Sequence, residues 1–409
     1  MTDVLTEQEE AVPFYPMERG GSCPFDPANQ LAALATEQPI TRVRLWNGNH
    51  AWLVTKNADL RAAISDRRLS CDPRLPGFPH VTAFVETRRG DAPRTLIEMD
   101  FPEHTTYRRM LTKDFLYKRV EAMRPRIQEI VDGLIDRMLE STGPVDLVAA
   151  FALPVPSLVI CELLGVPYDD HEFFQVRSNV LFARDATAEQ AMKAFQELAV
   201  YLGGMMQKKA AQPGDDLTSR LVAEQLTTGA IGPDSLVAML ILLLTAGHET
   251  TANMISLSAL TLLQHPEQMA ELRDKPEMVP DAVEELLRYL TVAQSGARRV
   301  ATEDIEIGGH LVKAGEGVIL AFDTANRDTS VFAEPEVFDI HRDDTGQHVA
   351  FGFGSHQCVG QQLARAELQI AVRTLVQRVP TLRLAQSVDS LQFRKDMAVY
   401  GVQGLPVSW

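Results

Sequence analysis

Phe351-Gly352-Phe353-Gly354-Ser355-His356-Gln357-Cys358-Val359-Gly360 is the stretch that decides how this chain is read. It sets a cysteine at the mouth of a helix, behind two glycines two residues apart. Glycine lets the backbone curl without side-chain clashes. N–H groups freed in that curl and at the helix start then point at the sulfur, stabilise a thiolate and lower its pKa. The same donors tune any metal that the sulfur holds. A lone cysteine more often packs as a small buried hydrophobe. Six spaced positions acting together favour a metal-binding thiolate instead.

Working outward, the helix that follows runs from near Cys358 to about Arg378. The stretch before it, Thr324 to Gln357, is long and irregular, and a loop of that length is functional rather than passive. Arg299 to Leu320 alternates in polarity, with glycine turns at Gly308–Gly309 and Gly315–Gly317, and reads as small β structure. Two further short strands, Val43 to Leu45 and Ala51 to Thr55, flank a turn at Asn47–Gly48–Asn49. Elsewhere the pattern is helical. Ile127, Ile130, Val131, Leu134, Ile135, Met138 and Leu139 recur at three and four, and Gly143–Pro144 stops that helix. Further helices are expected over Val155 to Leu164, Pro233 to His265 and Pro280 to Leu290. The first half of the Pro233–His265 helix is hydrophobic nearly all round, which buries it in the middle of the molecule. The fold class is therefore mainly α with a smaller β-rich part, one unit over residues 1–409.

Composition limits the function. With 409 residues, 45% of them hydrophobic, the chain can bury a large core. A net charge of −16 argues against nucleic-acid binding through the bulk field. Met1 to Val12 is polar and acidic, without the basic start and apolar run of a secretory signal. The longest apolar run, Leu236 to Leu244, is too short to span a bilayer. Cys23, Cys71, Cys161 and Cys358 show no CxxC spacing, which disfavours disulfides and zinc. A reducing, cytoplasmic compartment fits.

A second constellation, Ala246-Gly247-His248-Glu249-Thr250-Thr251, lies on the central helix. Mid-helix glycine costs about 1 kcal/mol against alanine. A threonine beside it can bond back to a carbonyl and bend the helix. Together they suggest a kink with room for a small ligand, and a carboxylate beside a hydroxyl is a natural proton relay. By itself the segment reads equally as a helix with a tolerated glycine and a solvated Glu249. Glu285 and Arg288, three apart, share a helix face. Alone they would be an exposed ion pair of little worth. His104 and Arg108 sit one turn apart on a helix, and alone read as solvated charges, as does Arg299.

Taken together, these segments resemble the cytochrome P450 superfamily over nearly the whole chain. Residues 351–360 match its haem-binding signature, Phe-Gly-x-Gly-x-His-x-Cys-x-Gly, at every fixed position. Leu363-Ala364-Arg365-Ala366-Glu367-Leu368 is similar to the helix that follows it. The resemblance implies a triangular helical prism around haem b (iron protoporphyrin IX), with Cys358 as the axial iron ligand and Phe351, Gly352, His356 and Gly360 in the haem pocket. Residues 246–251 are similar to the superfamily's oxygen-activation motif. That implies dioxygen activation beside Ala246 and Gly247, with Glu249 and Thr250 as the catalytic proton-delivery pair. Glu285 and Arg288 match the Glu-x-x-Arg core pair, with Arg342 as third member and a structural role. His104, Arg108 and Arg299 match the propionate partners. Cys23-Pro24-Phe25-Asp26-Pro27 and Arg68 to Pro79 resemble the soluble bacterial branch, leaning toward actinobacterial enzymes that modify secondary metabolites or xenobiotics.

The implied activity is insertion of one oxygen atom of O2 into a hydrophobic small organic molecule. By fold analogy the substrate walls are Pro76 to Thr95, Phe173 to Arg184, Leu243 and Ala246, Val292 to Ala297, and Met397 to Val399. Arg88 and Arg89 could meet a polar or anionic group, though loop arginines are usually solvated. Electrons are expected from ferredoxin and ferredoxin reductase, docking on Arg109, Lys113, Lys118 and Arg119. No nucleic acid or membrane partner is expected. Three alternatives keep the cofactor. One is a nitric oxide reductase, because Ala51 to Lys56 and Gly143 to Val148 resemble the fungal enzymes, which lack the acid–threonine pair. The others are an oxidative-coupling enzyme and a non-catalytic haem-binding protein.

Overall fold

The computed structural model describes residues 12–20, 23–83, 86 and 93–409. Arg88 and Arg89, with most of the second half of the Pro76–Thr95 wall, lie outside them.

The molecule is built around the helix Pro233–Gln264, in which 22 of 32 residues are buried. Proline at its first turn costs nothing, because that N–H has no partner inside a helix. It is long and apolar enough to cross a membrane, yet its apolar surface is covered by protein. Helices Pro154–Leu164, Ala188–Ala211, Val279–Leu290 and Gln361–Arg378 pack against it, and Tyr117–Leu139 packs outside two of them. The stripe read from Ile127 onward is the buried face of Tyr117–Leu139, a helix that starts ten residues earlier and carries Pro125 inside. Pro154–Leu164 ends where expected, on Gly165 at φ 68.

Beside the helices lies a five-stranded sheet, in the order Ile40–Arg44, His50–Val54, Gly317–Leu320, Ala297–Ala301, Leu69–Ser70. The first two strands form an antiparallel hairpin with Ile40 opposite Val54. His50–Val54 then runs parallel to Gly317–Leu320, which pairs antiparallel with Ala297–Ala301. This sheet carries two apolar clusters of its own, while the helices share one large core.

Residues 326–357 contain no helix longer than a single 3-10 turn and no strand. They are held by the buried side chains of one helix. Arg288, wholly buried, donates to Glu285 Oε2 at 2.6 Å and Oε1 at 2.8 Å. It also donates to the carbonyls of Asn326 and Pro335, both at 2.9 Å. Arg342 Nε comes within 3.4 Å of Glu285 and its Nη1 donates to Ala333 O at 2.6 Å. The final helix runs Gln361–Arg378, starting within a turn of Cys358 as expected, and Gln361 N–H donates to Cys358 O at 3.4 Å across the turn between them.

Candidate active site

The cysteine loop curls where its glycines allow. Gly352 and Gly354 adopt φ 71 and 70, a region that strains any residue with a Cβ. Cys358 N–H donates to Phe351 O at 2.9 Å, closing the loop on itself. Arg365, from the first turns of the next helix, lays its guanidinium 4.6 Å from the centroid of the Phe351 ring. Cys358 is solvent-accessible yet ringed by protein. That enclosure pushes its thiol up, against the Gly360 N–H on the sulfur and the charges of Arg108 and Arg365, which pull it down.

Around His356, on this loop, gather His104, Arg108 and Arg299. The rings of His104 and His356 lie 4.0 Å apart. Enclosure, then the charges of Arg299 and His104, with a smaller push from Arg108, drive His356 down to about 3, although Asp100 pulls the other way. Enclosure also lowers His104, Arg108 and Arg299. Among the described residues His104 Nε2 is buried with no hydrogen-bond partner, and Arg299 Nη1 donates to the carbonyl of Arg298 at 2.8 Å. Asp100 is already engaged by Ser70 and by the N–H of Cys71 at 3.0 Å. Two guanidiniums and two imidazoles that burial pushes toward the neutral form thus crowd together with one carboxylate among the described residues, and that one is taken. Such a cradle asks for anions from outside the chain. Among the described residues no three His, Cys, Asp or Glu side chains converge as a metal-ion site. A metal on Cys358 would take its other ligands from a cofactor, and one bearing two carboxylates fits both the thiol and the cradle.

The central helix opens a window in an otherwise covered surface. Between Leu236 and Leu262 every residue is buried except Val237, Leu242, Ala246, Gly247 and Thr250. The last three share one face. Thr250 Oγ1 donates to Ala246 O at 2.8 Å, the back-bond expected of it. The helix is nevertheless continuous, and the space beside Gly247 is not free: a Cβ there would come 2.8 Å from Ile160 Cδ1. On its Cβ side the glycine permits a close helix crossing.

Glu249 is 2% exposed, not solvated. Its Oε2 accepts from Arg394 Nη1 at 3.0 Å, and Oε1 lies 3.6 Å from His248 Nε2. Burial pushes its carboxyl up, but His248 and Arg394 outweigh it and hold the group below the usual carboxylate range. Arg394 had no signal in the sequence beyond being a charge in an irregular stretch.

Of the expected substrate walls, Leu243, Val292 and Val399 are 7, 8 and 5% exposed. Tyr400 N–H donates to Val292 O, and Ala398 N–H to Phe182 O, both at 2.8 Å, so three of the walls meet. The expected docking patch is less free than it read. Lys113 is bonded to both oxygens of Glu224, at 2.6 and 2.7 Å, and Arg119 lies 3.9 Å from Asp215. Arg109 and Lys118 are exposed. A cleft of about 490 Å3 includes Arg119, Ile130 and Arg220 but none of the thiol, cradle or window residues.

Residues 43–279 and 273–392 match the family model described as cytochrome P450. The chain is 51% identical over 394 residues to cytochrome P450-SU2 of Streptomyces griseolus, covering 96% of each. It is 49% identical to pentalenic acid synthase of Streptomyces avermitilis, over 100% of both. The crystal structure of mycinamicin VIII C21 methyl hydroxylase from Micromonospora griseorubida, bound to mycinamicin VIII, superposes with a TM-score of 0.91 at 43% identity, covering 97% of this chain and 100% of that one.

Proposed function

This chain belongs to the cytochrome P450 family, and from that premise we propose that it oxidises a largely apolar secondary metabolite or xenobiotic in the cytoplasm, fed by ferredoxin and its reductase. As a family member it is a monooxygenase with a haem-thiolate cofactor. The substrate class rests on its relatives' names, among them pentalenic acid synthase and the mycinamicin hydroxylase.

Haem b, when bound, supplies the redox-active iron at which O2 is activated. The chain's own residues do the rest. Cys358 would hold the iron through its thiolate, an electron-rich donor. The Gly360 N–H and Arg108 temper that sulfur. His104, Arg108, Arg299 and His356 would hold the propionates, and Phe351 and Gly352 would shape the cofactor pocket. Ala246 and Gly247 would present the helix window to O2 and substrate. Glu249, kept ionised by His248 and Arg394, would take a proton from the solvent side and pass it to the Thr250 hydroxyl, which would release its own proton into the helix window so that each group returns to its starting state. Leu243, Ala246, Val292 and Val399 exclude water and orient the substrate. Glu285, Arg288 and Arg342 keep the cysteine loop in place.

The observation that carries this reading is the accessible thiol of Cys358 together with two guanidiniums and two imidazoles that meet one engaged carboxylate among the described residues. The test is the carbon monoxide complex of the reduced protein. A red-shifted Soret peak typical of a thiolate ligand is expected, lost in Cys358→Ala. Its absence from freshly folded wild type refutes the assignment. A screen of organic ligands by Soret shift then narrows the substrate.

A further inference from the structure

A second set of polar atoms, gathered around Tyr15, is left unused by that chemistry. Tyr15 is 1% exposed and its hydroxyl has no hydrogen-bond partner among the described residues. Gln294, 6% exposed, gives its amide N–H to Met397 O at 2.5 Å and leaves Oε1 unpartnered. Ser295 Oγ, Arg298 Nη1, and Nε and Nη2 of Arg184 are likewise buried without partners. The segments that carry them converge. Arg184 N–H donates to Asp396 O at 2.8 Å, next to the Met397 that Gln294 holds. The Tyr15 hydroxyl feels the charges of both Arg184 and Arg298.

Leaving a buried polar atom unsatisfied costs about 1–3 kcal/mol, and more for a charge. Nearby carboxylates do not close this account. Asp323 lies 3.7 Å from Arg19, and Glu98 accepts from the N–H and hydroxyl of Thr95. Asp396 and Glu18 are exposed. The inventory is rich in donors: two guanidiniums, a phenol and a serine hydroxyl against one amide oxygen. An anion with two planar oxygens matches it, because guanidinium groups pair with a carboxylate through parallel N–H bonds. An apolar ligand would leave every one of these atoms unpaired.

We propose that Tyr15, Arg184, Gln294, Ser295 and Arg298 form a carboxylate-binding subsite, so that the substrate is an organic acid. The inference deepens the function proposed above and rests on it, since Arg184, Gln294 and Ser295 belong to two of the substrate walls. The acid group is anchored at this edge, and the apolar body extends toward the helix window.

The test titrates the holoprotein with lauric, 1-adamantanecarboxylic and abietic acids, each against its methyl ester, read by Soret shift. At least one acid should bind ten or more times tighter than its ester. Arg184→Gln and Arg298→Gln should each remove at least tenfold of that preference while ester affinity stays within twofold. Tyr15→Phe, which deletes one oxygen and no charge, should lower it about threefold and serves if an arginine variant does not fold. No acid preference in any of the three pairs, whether both partners bind or neither does, overturns the proposal. So does a preference that survives the substitutions. The carbon monoxide spectrum of the same samples separates the two readings. A thiolate-type peak without acid preference refutes the subsite alone, whereas a missing peak refutes the haem-thiolate assignment.

Discussion

Glu249 and Arg394 are 145 residues apart in the chain and 3.0 Å apart in space. A carboxylate at the centre of the buried helix is thereby tied to the C-terminal irregular segment. Removing one partner of such a pair strands the other, at a cost of about 3 kcal/mol before the partial exposure of Arg394 trims it. Arg394→Gln is expected to lower stability by about 2 kcal/mol at neutral pH. The sign with pH follows from the depressed carboxyl of Glu249, whose ordinary value is 4.5. Its contribution is present above 4.5 and is lost as pH falls below it. Denaturant melts of wild type and variant should therefore differ most at pH 7 and converge below pH 4.5. A constant gap across that range would show that the pair does not carry the effect.

Arg288 makes its bonds from a position with no exposure at all, and so does Glu285. Lysine cannot reproduce the fork that reaches two carboxylate oxygens and two carbonyls. Arg288→Lys is expected to cost about 3–5 kcal/mol. Because those carbonyls belong to Asn326 and Pro335, the damage should spread to the loop that carries Cys358. The ratio of Soret to protein absorbance in purified material should fall with it. Full haem content in the variant would separate this cluster from the cysteine loop.

What was legible in the sequence depended on how local its cause was. Gly352 and Gly354 could be read because a left-handed backbone demands glycine there, and the helix stripe from Ile127 because its period is its own. His104 and His356 are 252 positions apart by their numbers, and only resemblance to a family suggested that they meet. Helix His171–Phe182 buries only Phe174 and Ser178, so it has no stripe to read. Helix Ala188–Ala211 carried a usable signal, the capping box of Thr187 and Gln190. Arg394 carried none, because its partner is chosen by the closing of the chain. The unpaired atoms around Tyr15 were invisible for the same reason: absence of a partner is a property of the folded molecule.

Glu367 lies on the helix that follows the cysteine loop, 3% exposed, with Oε2 unpartnered among the described residues. Burial pushes its carboxyl well above the usual range. An acid whose folded pKa is raised ionises more readily when unfolded, so its penalty is absent below the ordinary value of 4.5 and grows as pH rises. Glu367→Gln removes the ionisable proton while keeping the shape. The variant should be more stable than wild type at pH 8 by at least about 1 kcal/mol, and equal to it near pH 4. A variant destabilised at both pH values would mean that the carboxyl has a charged partner.

Gly247 offers a test of why a glycine stands in the middle of the central helix. If it were there only to loosen the helix, alanine should stabilise by about 1 kcal/mol. The packing argues the reverse. A Cβ at Gly247 would meet Ile160 Cδ1 at 2.8 Å and Cγ1 at 3.1 Å, and Ile160 is 4% exposed with little room to turn. Overpacking of this kind costs about 1–3 kcal/mol. Gly247→Ala alone should therefore lower the melting temperature. Ile160→Val removes the Cδ1 atom at issue and alone should cost about 1 kcal/mol. Combined, the two changes should be more stable than the sum of their separate effects, because the shortened side chain makes way for the new methyl group while the helix keeps its gain in propensity. Strict additivity in this double-mutant cycle would mean that the contact between the two helices is not what requires glycine, and that the window itself does.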